Sequence, residues 1–154
     1  MIESLDISVA RVPSGSGPQP GPAIVVGPAG QAVSTAELYR RLSGASAGCR
    51  AGKRMAAIVS TGALNTPDQV SVTGSRRYRD SFDLDLEIRR FDGPMAANDP
   101  WLALIRMELG LLEPGSYRLT VHETAMRFTD IRHPETATEP MTTERSFGFV
   151  CVRE

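Results

Sequence analysis

The stretch SFDLDLEIRRF, residues 81–91, constrains the fold more than any other part of the chain. Phe82, Leu84, Leu86 and Ile88 fall on one side of it, and Asp83, Asp85, Glu87 and Arg89 on the other. A period of two is satisfied by an extended strand with one buried face; a helix would scatter both sets around its circumference. Similar runs recur. LDISVARV alternates Leu5, Ile7 and Val9 against Asp6 and Ser8, and QVSVT turns Val70 and Val72 inward. AIVVG and RMAAIVS are short apolar runs, and WLALIRMEL is apolar on both faces for its first half, as a central strand must be. SYRLTVHE and SFGFVCVR complete the set. Many short strands separated by glycine and proline turns predict an all-β fold, mainly antiparallel, closed as a sandwich or a barrel. At 154 residues the chain is expected to be one domain spanning residues 1–154.

One segment breaks the pattern. VSTAELYRRLSG predicts a short helix near residues 35–43. Ser34 and Glu37 have capping-box spacing, Val33 can staple onto Leu38, Arg40 and Arg41 suit the negative end of the dipole, and Gly44 supplies a stop. Two stretches lack regular patterning: the proline- and glycine-rich residues 13–22, and residues 126–144, expected to form a long loop.

LLEPGSYRLTVHE, residues 111–123, carries the most specific structural signal. Pro114 fixes φ at a turn, Gly115 permits a positive φ, and Tyr117 opens the next strand with its ring inward and its hydroxyl free to satisfy a carbonyl. This order resembles the LxPGxYxVxV tyrosine corner of immunoglobulin-like and fibronectin-type sandwiches, over about residues 101–128. The resemblance implies an Ig-like β-sandwich and no particular activity. Fibronectin type III domains usually have one more residue between turn and tyrosine. The cysteine–tryptophan–cysteine core of antibody domains is missing, and the one tryptophan, Trp101, is expected in the core.

A net charge of −1 gives no electrostatic reason to seek nucleic acid or acidic lipid. The N-terminus lacks the basic and apolar regions of a secretory signal, and no apolar run reaches the ~18 residues of a membrane span. These features lead to the expectation of a cytoplasmic setting. Cys49 and Cys151 are too few for a disulfide framework or metal set, and two reduced thiols are expected, Cys151 packed in a strand and Cys49 in a loop, with a bond between them left open.

Several motifs fail their context. AGCRAGKR (47–54) puts Arg54 where a phosphate loop needs Ser or Thr, and it follows a helix instead of opening one. HETAM (122–126) has Met126 in place of the second zinc histidine, on a strand. The carboxylates of DLDLE lie ~7 Å apart along a strand and read as a solvated face. SRRYRD (75–80) is a weak nucleic-acid footprint and reads as a solubilising loop or an edge guard. No cofactor, metal or catalytic set is expected. The reading that follows is a non-catalytic interaction module for a protein partner, working through end loops or an edge strand, with self-association compatible. Arg127, Asp130, Arg132, His133 and Glu135 are the candidate contact residues. The alternative is a small hydrolase or metal-dependent enzyme using His122 or His133 with nearby carboxylates.

Overall fold

The computed structural model describes residues 2–14, 21–29, 34–44 and 48–153. Ten strands, one α-helix and a single 3-10 turn follow in the order β1 (Ile2–Ser4), β2 (Ile7–Pro13), β3 (Ala23–Pro28), α1 (Thr35–Gly44), β4 (Cys49–Arg50), β5 (Arg54–Leu64), β6 (Gln69–Tyr78), β7 (Ser81–Phe91), β8 (Trp101–Leu111), β9 (Gly115–Phe128), the 3-10 turn Pro134–Thr136, and β10 (Thr138–Val152). They build a six-stranded sheet, β1-β6-β7-β9-β10-β4, and a four-stranded sheet, β2-β8-β5-β3. Most neighbours are antiparallel; β7–β9 and β10–β4 run parallel. The β7–β9 pair arises because the intervening strand, β8, crosses into the other sheet.

The core lies between the sheets. Phe82, Leu84, Leu86 and Ile88 of β7 are buried, as their alternation requires, and meet Met55, Val59, Ile105 and Met107 from the smaller sheet. Burying such side chains contributes roughly 1.5–3 kcal/mol each. The smaller sheet also has a second apolar face. Ala56, Ile58, Leu102 and Leu104 point away from the main core and are covered by Leu38 and Leu42 of α1. This explains why β5 and β8 are apolar on both faces: each is central in its sheet and sandwiched between a sheet and a helix.

Ser34 caps α1, its Oγ accepting from the Glu37 N–H at 3.1 Å, and Glu37 pairs with Arg40 and Arg41. The Val33 staple lies outside the described residues, as do Ala47 of the loop-like AGCRAGKR and residues 15–20 of the proline-rich segment.

Four expectations differ from the structure. LDISVARV is not one strand: β1 pairs with β6 in one sheet and β2 with β8 in the other. Ala10 and Val12 accordingly face the helix layer while Val9 is exposed. SRRYRD is no loop, since Ser75–Tyr78 belong to β6, and only Arg79 (φ 57°) and Asp80 turn the chain into β7. The expected long loop 126–144 is mostly strand: β9 runs to Phe128 and β10 starts at Thr138, leaving residues 129–137 as the connection. Finally, Cys49 and Cys151 are joined in a disulfide between directly paired residues of β4 and β10. Cys49 is thus on a strand and not in a loop.

Trp101 is buried as expected, its indole N–H donating to the Asn65 carbonyl at 2.8 Å and its ring covered by Arg11. Tyr117 opens β9, and its hydroxyl donates to the Glu113 carbonyl at 2.8 Å. Its ring stacks on Phe149, with centroids 5.5 Å apart. Pro114 sits in the turn, and Gly115 has a φ of 151°, which a side chain rarely adopts.

Among the described residues no helix is long and apolar enough to cross a membrane.

Candidate functional site

Among the described residues the β9–β10 hairpin is the longest strand pair, and its register is continuous from Met141↔Ala125 to Cys151↔Gly115. β9 lies between β7 and β10, whereas β10 has β9 on one side and β4 on the other only at Cys151 and Val152. Among the described residues, positions 138–150 therefore have a strand neighbour on one side alone. In a strand the backbone groups alternate in direction, so this stretch presents a row of unpaired N–H and C=O groups. Met141 is 68% exposed and Val150 59%.

The tip of the hairpin is an ordered turn. Asp130 accepts through Oδ1 from the Arg132 N–H at 3.1 Å, and its carbonyl accepts from the His133 N–H. The Thr136 N–H and hydroxyl both donate to the His133 carbonyl, closing the 3-10 turn that Pro134 opens. Arg89, from the outer face of β7, donates to the Pro134 carbonyl and ties the turn to the sheet. His133 and Glu135 pair through Nδ1 and Oε1 at 2.7 Å. This contact raises the His133 pKa from its ordinary 6.5. Glu135 is lowered, first by a hydrogen bond to its own backbone and then by His133.

The five candidate residues are thus brought to one end of the molecule, but they do different work. Asp130 holds the turn, and His133 and Glu135 hold each other. Arg127 faces Asp92 at 3.8 Å, and Arg132 and Ile131 project from the turn into solvent. Beside them is a concavity of about 530 Å³ lined by Arg90, Arg127, Ala125, Met126, Glu139, Pro140 and Met141. Sequence reasoning missed the free edge of β10 and Met141 because Pro140 and the charges of TEPMTTE hid the strand. The threonines Thr138, Thr142 and Thr143, β-branched and at home in a pleat, were the available signal.

The two histidines are not brought into one site. His122 lies on the outer face of the larger sheet, its Nε2 3.0 Å from Asp83 and its Nδ1 3.3 Å from Glu144. Arg76 bonds Asp85 at 2.7 Å on the same face, across Gly74, where a Cβ would meet the Asp85 carboxylate at 2.9 Å. Thr120–Ser146 and Thr124–Thr142 continue the belt. Asp83 and Asp85 of β7 are therefore paired across strands, while Glu87 pairs with Arg89 on β7 itself. Chemically the belt is self-contained: both His122 nitrogens already face carboxylates, so neither points at a hydroxyl it could activate. Among the described residues no group of three or more His, Cys, Asp or Glu could hold a metal ion.

A groove of about 580 Å³ lies between α1 and the smaller sheet, lined by Val12, Pro13, Ala36, Tyr39, Leu102 and Leu104 with Arg40 and Ser43 at its margin. It is apolar and carries no titratable cluster.

Compared with known proteins, the chain matches no family model, no curated protein and no solved structure.

Proposed function

We propose that the chain is a non-catalytic β-sandwich module that binds a protein partner through the β9–β10 hairpin. The observation that carries this reading is that, among the described residues, β10 has an open edge over residues 138–150, with Met141 and Val150 exposed along it. An extended segment added there would be held by main-chain hydrogen bonds and selected by alternate side chains. The ordered turn beside it, with Ile131 and Arg132 projecting, supplies further contacts.

The immunoglobulin-like reading belongs to the same proposal. It is supported by the Tyr117 hydroxyl bond to Glu113, which has the form of a tyrosine corner. The parallel β7–β9 pair departs from wholly antiparallel sheets and counts against close kinship. The hydrolase alternative has less support, because His122 and His133 serve separate ion pairs. Disulfides persist in oxidising compartments, so the Cys49–Cys151 bond weighs against the cytoplasmic setting expected from the sequence.

Capture from an extract of the native cells tests the reading, using the wild-type chain beside a Thr142→Lys, Val150→Lys variant. Both positions are exposed, and lysines on an edge discourage strand addition. The proposal expects a partner held by the wild type and lost by the variant. Equal capture by both, or none by either from a chain that is also monomeric on its own, contradicts it.

A further inference from the structure

We infer that the partner seated on the β10 edge is a second copy of this chain, paired antiparallel about a two-fold axis through Ser146. The inference rests on the reading of that edge as the contact surface and names its occupant.

The free window has two physical bounds. At one end, Pro140 has no N–H to donate, and the register shifts between Thr138 and Met141. At the other, β4 already occupies the place beside Cys151. Between them, residues 142–150 form an unshifted run of about 30 Å at the usual strand rise, and its midpoint is Ser146. The remaining edges offer less: β6 is bulged between Val72 and Gly74, and β2 and β3 end on Pro13 and Pro28.

A two-fold axis normal to the sheet pairs residues that share a face. With Ser146 on the axis, Glu144 of one copy faces Gly148 of the other, and Thr142 faces Val150, all on the outer face. On the inner face Arg145 meets Phe147, and Thr143 meets Phe149. The Phe147–Phe149–Tyr117 row would continue onto an arginine and a threonine of the second copy. Arg145 is also held within its own chain, a terminal nitrogen lying 3.8 Å from the Glu123 carboxylate.

No like charges are opposed in this register. Moving the axis to Arg145 or to Glu144 sets that residue against itself, which is destabilising. An isologous pair in this register covers the free run of β10 on both copies.

Sedimentation velocity of the full chain between micromolar and hundred-micromolar concentrations tests this, beside Gly148→Glu and the double variant Gly148→Glu, Glu144→Lys. A Cβ at Gly148 meets nothing nearer than the Tyr117 carbonyl at 3.9 Å, and Arg118 lies directly across on β9, so the glutamate is tolerated within one chain. Across the axis it faces Glu144 twice, and the dimer should weaken on the order of tenfold. The double variant restores opposite charges and should recover most of that loss. A monomer at every concentration, or a dimer indifferent to these substitutions, overturns the inference. A monomer that still loses a cellular partner through Thr142→Lys, Val150→Lys overturns it while leaving the edge-binding reading standing. A monomer with no edge-dependent capture removes both.

Discussion

β8 and β10 are both long strands, yet they have opposite surroundings. β8 lies between β2 and β5, with a core on one face and α1 on the other, and Ala103, Leu104, Ile105 and Met107 are essentially inaccessible. β10 has one full-length neighbour, an outer face of threonine, glutamate and serine, and residues 138–144 exposed throughout. Membership of a sheet is therefore a poor guide to what a strand is for. β8 is held by burial on two faces and carries stability; β10 is held by one ladder and leaves its other side available.

The contrast is broken most directly by truncation. Ile105→Ala removes a fully buried side chain from β8 and should cost about 2–5 kcal/mol in urea unfolding. Val150→Ala, on the exposed side of β10, should stay within about 0.5 kcal/mol. Similar losses at both positions would erase the distinction.

β10 has one strong anchor, the bond from Cys151 to Cys49, which spans 102 residues of sequence. Replacing both cysteines with alanine should lower stability by about 2–4 kcal/mol, read from the urea midpoint of the oxidised protein beside the variant. An unchanged midpoint would mean that β4 contributes nothing to fixing the end of β10.

Next in size is Tyr117→Phe, which keeps the stacked ring and deletes the hydroxyl bonded to Glu113. A loss of about 0.5–1.5 kcal/mol is expected. A neutral result would reduce the corner to a packing feature.

The smallest effect lies at the hairpin tip. His133 titrates above its ordinary value because Glu135 accepts from it, so its share of the pair's stabilisation is present at low pH and lost as pH rises through the raised folded value. Glu135 titrates below its ordinary value, so its share is present above 4.5 and lost as pH falls through the lowered folded value. The pair is intact in the window between. Glu135→Gln should bring the His133 imidazole back toward 6.5 in an NMR titration; an unmoved curve would place the cause elsewhere.

Much of this architecture was legible in the sequence where burial imposes a period. The alternation of β7 gave its buried face residue by residue, and the two-sided apolar character of β8 marked a central strand. Ser34 and Glu37 marked the start of α1. The proline–glycine–tyrosine order pointed to a Tyr117 hydroxyl bonded to a nearby carbonyl, which is that of Glu113. Legibility failed where burial is weak. β10 beyond Arg145 in the N-terminal direction buries almost nothing, so no apolar period reveals it, and its ladder to β9 is a long-range fact of the backbone. The switch of sheets between Ser4 and Ile7 was equally hidden, because Leu5 and Ile7 pack on the same core either way. The pairing of Cys49 with Cys151 depends on β4 returning to the far edge of the larger sheet, which spacing does not encode. The candidate contact residues lie together at one end of the molecule, while β10 was not singled out as the strand whose edge is open.

Binding along β10 requires that its edge be open in the isolated chain. Amide hydrogen exchange at sub-micromolar concentration measures this directly. The outward-facing amides of residues 142–150 should exchange quickly while those of β8 remain protected, and the β10 amides should gain protection as concentration or partner is raised. Slow exchange along both strands in the most dilute sample would show that the edge is already covered, contradicting the account.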